Sequence, residues 1–322
     1  MGIMLRIVNT TISTKRNYLS VLCILECILG LCLSGCGGVS SPKAVSATDR
    51  AVPASRHVWV IKEENHSYED VIGNPSMPFF NNLVDRGALA SQYYSHTHSS
   101  LPAWMWLVAG QPVDSKNPGG CFNVPNLARS MIRAGLVWKS YNEDLRYPGD
   151  PTFHVANYVR GHNPLTNFSD TCSAPQKYNS MPFPYFWRDV KATPANFSYI
   201  NPNLLNDGHS ANLRRSDEWI KVVAGRILSR PEFQAGGDGL LFFVWDEGNF
   251  TWDNRCASNI TSGCGGRVVV LAIGPGVKPG YVSTGLYHQE NLLRTFCAAM
   301  RLSECPGAAS VAKPMSDLFA NL

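Results

Sequence analysis

Continuous apolar runs stand out along the chain from residue 56 onward, separated by helical and polar stretches. The runs 240–245 and 268–273 are apolar at every position, and 57–61 is apolar after its first residue. A strand with one face in water would alternate apolar and polar positions, whereas a strand buried on both faces is apolar throughout. The pattern therefore predicts an α/β fold, with a mostly parallel central sheet and helices on both of its faces.

The clearest helical periodicity lies between Ser216 and Leu228, where apolar side chains recur on one face. Ser216 is the predicted N-cap, since its hydroxyl can accept a hydrogen bond from an unpaired N–H of the first turn. Shorter helices are expected at 78–85, 102–109 and 128–134, and further strands at 88–94 and 136–141. The segment 149–206 is rich in Pro, Asn and Tyr, and predicts a long irregular insertion over one end of the sheet.

The composition limits the class of protein. Hydrophobic residues make up 44% and charged residues 16% of the 322 positions, which excludes a disordered chain. The 28 Lys and Arg residues against 24 Asp and Glu residues give a net charge of +4. This small charge, without a long basic run, gives no electrostatic reason for nucleic-acid binding. We therefore expect a folded domain and no nucleic-acid partner.

The first 36 residues have the anatomy of a secretory signal. Basic residues precede the apolar run 21–33, which is short for a membrane span and contains Glu26. The run ends in Leu33-Ser-Gly-Cys36, which resembles the bacterial lipobox, in which the cysteine is lipidated. We therefore expect a lipoprotein signal peptide over 1–36, with lipidation at Cys36. An ordinary cleaved signal and an uncleaved anchor are the alternatives.

The residues after this signal are rich in Ser, Gly and Ala and predict a flexible tether over 37–55. The folded domain is then expected over 56–322. A lipidated Cys36 would make the protein an exported one, attached to the membrane of the cell envelope in the periplasm or at the cell surface.

Six cysteines lie beyond the predicted signal: Cys121, Cys172, Cys256, Cys264, Cys297 and Cys305. An even number in an exported protein predicts a set of disulfides. Short loops favour the pairs Cys256–Cys264 and Cys297–Cys305, which leaves Cys121–Cys172 as the long link; a pair of free cysteines is the alternative. No two of the six have C-x-x-C spacing, so a cysteine-based zinc site is not expected.

Polar side chains follow several of the predicted strands. The pairs Glu64-Asn65 and Asp246-Glu247 come directly after apolar runs, Asp207-x-His209 follows the stretch 199–202, and His288 precedes the last helix. In open α/β sheets, ligands bind outside the carboxyl ends of the strands. Carboxylate, amide and imidazole groups gathered there would bind a hard or borderline divalent cation. Each cluster alone would also suit an ordinary turn or loop cap.

A serine pair, Ser99-Ser100, precedes the predicted helix 102–109. A hydroxyl at a helix N-terminus lies near unpaired N–H groups and the positive end of the helix dipole, which favour a phosphate group. A metal bound to the hydroxyl would lower its pKa and give an alkoxide without a histidine base. The alternative is that either serine only caps the helix. The chain has no G-x-S-x-G motif, which gives a Ser-His-Asp esterase little support.

Taken together, these segments resemble the phosphoesterase family of bacterial phospholipases C and secreted acid phosphatases, within the alkaline phosphatase superfamily. The resemblance extends over about 57–302 and depends on the order and spacing of several short motifs. They are Glu64-Asn65-His66-Ser67-Tyr68, Thr97-His98-Ser99-Ser100-Leu101-Pro102, Gly161-His162-Asn163-Pro164, Asn206-Asp207-Gly208-His209, Trp245-Asp246-Glu247-Gly248 and Tyr287-His288.

The resemblance implies a role for each matching position. Ser100 matches the hydroxyl nucleophile. The ligands of a divalent metal ion would be Glu64, Asn65, Asp246 and Glu247. Positions for a second metal or the phosphoryl group would be Asp207, His209 and His288, and His162 would lie near the phosphate. The chain departs from the family at Ala103, where the family has an Asn that could donate to the phosphoryl oxygens.

The resemblance therefore implies an exported, metal-dependent phosphoesterase that hydrolyses phosphate monoesters through a serine nucleophile. A phospholipase C or phosphodiesterase acting on phospholipid is one alternative, although the chain lacks an obvious added C-terminal lipid-binding domain. A lipid-anchored surface protein of the same fold without activity is the other. A sulfatase-like hydrolase is disfavoured, because the Arg of its Ser-x-Pro-x-Arg motif is missing after Ser100.

Overall fold

The computed structural model describes residues 47–113, 119–256 and 264–320. Its strands are β1 His57–Glu63, β2 Ala88–Tyr93, β3 Trp138–Asn142, β4 His154–Val155, β5 Tyr158–Val159, β6 Ser180–Pro182, β7 Phe197–Asn201, β8 Gly239–Trp245, β9 Val270–Ile273 and β10 Tyr281–Tyr287. Its α-helices are α1 Ala47–Arg50, α2 Tyr68–Val71, α3 Pro78–Val84, α4 Ser100–Ala109, α5 Leu127–Arg133, α6 Pro184–Asp189, α7 Leu213–Leu228 and α8 Gln289–Ala299.

Eight of these strands form one sheet in the order β10-β2-β9-β8-β1-β7-β3-β6, while β4 and β5 form a small hairpin. Every neighbouring pair in the sheet is parallel except the two pairs made by β9. The prediction of a mostly parallel sheet is therefore confirmed. The carboxyl ends of β7, β1 and β8 lie side by side at one edge, which is where ligands bind in open α/β sheets.

Helices cover both faces of this sheet. Successive side chains of β8 point to opposite faces. The ring of Phe243 lies 5.4 Å from that of Phe80 in α3, whereas the ring of Phe242 lies 5.2 Å from that of Phe296 in α8. Because both faces are covered, all seven residues of β8 are buried, which explains why its sequence is apolar throughout.

The long amphipathic helix begins earlier than its predicted N-cap. α7 starts at Leu213, and the side chain of Asn212 accepts a hydrogen bond from the backbone N–H of Arg215. Ser216 lies buried inside the helix, so its prediction as the N-cap is wrong. Asn212 caps the helix because its side-chain oxygen and its own carbonyl both accept from the Arg215 N–H, which has no carbonyl four residues back within the helix.

The predicted irregular insertion at 149–206 contains two strands of the main sheet. β7 lies between β1 and β3, and β6 forms the edge beyond β3. The prediction is therefore wrong for these parts of the segment. The buried polar residues Ser198 and Asn201 interrupt the apolar pattern of β7, which concealed a strand that has neighbours on both sides.

The described part of the predicted tether packs against the domain. Residues 47–50 form α1, and the Asp49 carboxylate accepts hydrogen bonds of 2.9 and 2.6 Å from the Arg294 guanidinium in α8. Val52 is fully buried, and the backbone N–H of Ser55 donates to the carbonyl of Ala299. The flexible tether is thus contradicted over 47–55. The predicted signal peptide, Cys36 and residues 37–46 lie outside the described residues.

The six cysteines form the disulfides that the loop lengths favour: Cys121–Cys172, Cys256–Cys264 and Cys297–Cys305. The free pair that the sequence left open is therefore excluded. None of the helices within the described residues is both long and apolar enough to span a membrane.

Candidate active site

Two polar pairs meet where β1 and β8 end. The register of these parallel strands places Glu63 opposite Trp245, so the residues that follow each strand are neighbours. The backbone N–H of Asn65 donates to Asp246 Oδ1 at 3.2 Å. The carboxyl groups of Glu64 and Asp246 are near enough for each to shift the pKa of the other. The predicted pairs therefore lie together at one point of the sheet edge.

Ser100 reaches the same point from the start of α4. Its hydroxyl donates to Glu64 Oε2 at 2.9 Å and lies 3.3 Å from Glu247 Oε1. The preceding residue, Ser99, has φ 88°, a conformation that is costly for a residue with a side chain. Its backbone N–H donates to Glu247 Oε2 at 2.9 Å, which holds this turn in place. The strained turn thus presents the Ser100 hydroxyl to two carboxylates.

We call this group the ligand cluster; its members are Glu64, Asn65, Ser100, Asp246 and Glu247. Two of its buried oxygens, Asn65 Oδ1 and Asp246 Oδ2, have no hydrogen-bond partner among the described residues. Burial and the nearby charges of Glu64 and Glu247 raise the pKa of Asp246 well above its usual value. Unpartnered buried oxygens normally cost free energy, and oxygen donors are the ligands that hard divalent cations prefer. The ligand cluster therefore fits such a cation.

A second group lies beside it, and we call it the lysine cluster: Lys62, His162 and Asp207. The Lys62 side chain is fully buried, and its Nζ lies 2.5 Å from Asp207 Oδ2 and 3.1 Å from His162 Nδ1. The same Nζ donates to Glu64 Oε1 at 3.2 Å. Burial lowers the pKa of Lys62, but the carboxylates of Asp207 and Glu64 raise it above its usual value, so the ammonium is charged.

Glu64 connects the two clusters. Its Oε2 accepts from Ser100, while its Oε1 accepts from Lys62 and, at 2.8 Å, from the indole N–H of Trp104. Burial by itself would raise the pKa of Glu64. The neighbouring His162 and Lys62, together with the hydrogen bond from Trp104 and the nearby Asp246 carboxyl, lower that pKa to about 2. Glu64 is therefore a carboxylate at neutral pH and accepts hydrogen bonds from residues of both clusters.

Of the other two predicted histidines, His209 lies beside the lysine cluster, with its ring centroid 6.2 Å from that of His162, and His288 lies outside both clusters. His209 contacts Asp207 through its backbone N–H, and its ring is hydrogen-bonded to Ser210. His288 is hydrogen-bonded to the carbonyl of Tyr94 and stacks on His96, with ring centroids 4.6 Å apart. The predicted second-metal group of Asp207, His209 and His288 is thus not assembled among the described residues, because Asp207 is paired with Lys62 instead.

Three residues of the site were not predicted: Lys62, Trp104 and His98. Trp104 lies four residues after Ser100 and so shares its face of α4, a spacing that the sequence does show. The His98 ring is hydrogen-bonded through Nδ1 to Glu247 Oε2 at 2.8 Å and through Nε2 to the carbonyl of Asp253 at 2.9 Å. Lys62 follows the apolar run 58–61 directly and lies in the buried part of β1, and this position is its sequence signal, since only a buried partner would keep a lysine there.

Comparison with known proteins places this site in a family. Residues 74–303 match the Phosphoesterase family. A phosphatidylinositol-3-phosphatase of Mycobacterium tuberculosis is 28% identical over 291 residues, which cover 88% of this chain and 89% of that protein. An acid phosphatase of Aspergillus fumigatus is 28% identical over 220 residues, or 64% of this chain and 47% of that one. The chain spans about half the length of this fungal relative.

Solved structures agree on the fold. The lipoteichoic acid synthase LtaP from Listeria monocytogenes aligns with a TM-score of 0.54 and 11% identity, covering 87% of this chain and 79% of that one. An alkaline phosphatase superfamily protein from Vibrio parahaemolyticus aligns with a TM-score of 0.51 and 12% identity, covering 77% and 67%. With the family match over most of the domain, these likenesses lead to one conclusion: the chain belongs to the Phosphoesterase family and is a hydrolase of phosphoric esters.

Proposed function

We propose that the protein hydrolyses phosphate monoesters, with Ser100 as the nucleophile and one divalent metal ion held by the ligand cluster. The observation that carries the proposal is the position of the Ser100 hydroxyl, 2.9 Å from Glu64 Oε2. The cluster around it contains two buried oxygens that have no partner in the described part of the chain. A matching phosphatase of similar length and the matching acid phosphatases support a monoester as the substrate.

The residues of the ligand cluster would hold the metal through their side-chain oxygens. A bound divalent cation would neutralise charge on the phosphoryl oxygens and lower the pKa of the Ser100 hydroxyl. Ser100 stands at the first turn of α4, where backbone N–H groups without helical partners also favour the phosphoryl group. The buried position of Glu64 and Asp246 excludes water from around the charges, which strengthens these interactions.

The reaction would then proceed in two displacements. Ser100 Oγ, held in place by its hydrogen bond to Glu64, attacks phosphorus, and the hydroxyl proton is released to solvent. The bond from phosphorus to the leaving oxygen breaks, and the alcohol departs with a proton from solvent. Water then attacks the phosphoserine, breaks the bond between phosphorus and Ser100 Oγ, and restores the hydroxyl. Positioning and electrostatic stabilisation account for most of the rate in such transfers.

Export is part of the same proposal. Three disulfides are typical of proteins that fold in oxidising compartments, and the lipobox-like sequence ending at Cys36 supports a lipid anchor in the cell envelope. The natural substrate would then be a phosphoester reached outside the cytoplasm, either a small molecule or a lipid phosphate.

The proposal is tested by hydrolysis of an aryl phosphate monoester with divalent metal supplied. Ser100→Ala should lose activity by roughly 10⁴-fold or more, the size of effect seen when a covalent nucleophile is removed. Ser130→Ala is the matched control, because Ser130 lies in α5 and its hydroxyl donates only to the carbonyl of Asn126. A Ser100→Ala protein with wild-type activity would contradict the proposal. Hydrolysis of a diester but not of a monoester would show a phosphodiesterase instead.

A further inference from the structure

The lysine cluster has the donor set of a cation site. One ligand atom each from Glu64, His162 and Asp207 lies within 4.8 Å of the others, and all three residues are buried. Two carboxylates and an imidazole at such spacing would suit a divalent cation. The spacing also agrees with the second metal that the sequence predicted around Asp207.

The ammonium of Lys62 already stands among these atoms. Its Nζ lies 2.5 Å from Asp207 Oδ2, 3.1 Å from His162 Nδ1 and 3.2 Å from Glu64 Oε1. An ammonium has three donors and no acceptor, so three acceptors at hydrogen-bond distance use all of its donors. A metal ion bound to the same three atoms would have to overlap Nζ, and the two like charges would repel each other in a buried site.

We propose that the ammonium of Lys62 takes the place of a second divalent cation, so that the protein binds one metal ion, in the ligand cluster. This inference rests on the proposed function for the metal ion of the ligand cluster, and what it adds is the role of Lys62 in the lysine cluster. Lys62 supplies a fixed positive charge beside Glu64 that needs no metal from solution.

Lys62 also orients His162. Because an ammonium can only donate, the Nδ1 atom that it contacts accepts, and Nε2 is then the ring nitrogen that carries a proton. Nε2 makes no hydrogen bond to the residues that the structure describes. It is therefore available as a donor to a phosphoryl oxygen, and Lys62 is a positioning residue that acts through His162.

The test counts metal ions, which does not depend on turnover. The full-length protein is stripped of metal and titrated with Mn²⁺ by calorimetry, and the bound metal is measured by elemental analysis. Wild type should bind one equivalent. Lys62→Met removes the ammonium and should bind two. Lys62→Met combined with Asp207→Asn removes one carboxylate of the vacated position and should return to one. Crystals with Mn²⁺ locate each ion by anomalous scattering.

Each result decides the question. A second ion beside Asp207 and His162 in Lys62→Met, absent from wild type, supports the inference. One ion in both proteins, or an ion among the atoms of the lysine cluster in wild type, overturns it. If Lys62→Met does not fold, Lys62→Gln keeps a donor for Asp207, and the same gain of one ion is expected. If wild type binds no ion, the metal ion of the proposed function is contradicted. If the Lys62 variant then gains an ion that wild type lacks, this inference is still supported.

Discussion

The ligand cluster and the lysine cluster share Glu64 and lie at the same sheet edge, yet they balance buried negative charge in opposite ways. In the lysine cluster the chain provides its own cation, and every donor of Lys62 finds an acceptor. In the ligand cluster two buried oxygens have no partner within the described chain. This difference indicates that the chain itself neutralises the lysine cluster, whereas the ligand cluster requires a cation from solution.

The largest effect is expected from Asp246→Asn. Loss of a ligand-cluster carboxylate should weaken metal binding and reduce phosphatase activity by roughly 10³-fold, since a metal contributes several kcal/mol at the transition state. In the metal-free protein the same change should raise the free energy of unfolding, because it removes a negative charge that lies beside Glu64 and Glu247. Thermal unfolding in a chelator tests the second part, and a metal-free variant less stable than wild type would contradict the comparison.

Asp207→Asn should have the opposite effect on stability. It leaves the buried Lys62 with a weaker set of partners, and breaking a buried ion pair costs about 3–5 kcal/mol. Urea unfolding of the metal-free protein measures this change. The two Asp→Asn variants are matched in chemistry and differ in the cluster that they alter, so equal shifts in the same direction would show that the two clusters do not differ.

His98→Ala should have a smaller effect, limited to the ligand cluster. His98 holds Glu247 from outside through its Nδ1, and loss of such an outer partner typically lowers metal affinity by about 10–100-fold. Calorimetric titration with Mn²⁺ measures this affinity. In chelator, the free energy of unfolding should change much less than it does in Asp207→Asn. An unchanged Mn²⁺ affinity would contradict a role for His98 in positioning Glu247.

The smallest effect, at a third buried carboxylate, depends on pH. Burial would raise the pKa of Asp253, but hydrogen bonds from Arg255 and Ser67 lower it below its usual value of 3.8. A carboxyl with a lowered pKa in the folded state stabilises the fold above its unfolded pKa and loses this contribution as the pH falls. Asp253→Asn should therefore cost about 2 kcal/mol at pH 7, and progressively less below pH 3.8. A difference in unfolding free energy that stays constant down to pH 2 would contradict this.

The ligand cluster was predictable because each of its members directly follows a strong local signal. Glu64-Asn65 and Asp246-Glu247 follow strands whose apolar sequences are unmistakable, and Ser100 begins a helix. Parallel pairing then brings the ends of such strands together. Five strands of the sheet were predictable for the same reason, whereas β6, β7 and β10 were not predicted. In β7, buried polar residues broke the apolar pattern.

The lysine cluster was not predictable from local pattern. The position of Lys62 in a buried strand indicates that it has a buried partner but not which one, because Asp207 and His162 lie 145 and 100 residues away in the chain. The sequence suggested Asp207 as a metal ligand because it could not show that a lysine would face it. The positions of His209 and His288 likewise depend on tertiary contacts with neighbouring residues, which motif spacing does not contain.

The most direct test of the account is to trap the covalent intermediate. The metal-loaded protein is mixed with an aryl phosphate monoester, quenched in acid during turnover and digested, and the phosphorylated peptide is identified by mass spectrometry. We expect a phosphoryl group on Ser100 that is absent from Ser100→Ala and present in the Ser130→Ala control. Phosphate on another residue, such as His162, or phosphorylation of the Ser100→Ala protein, would contradict it.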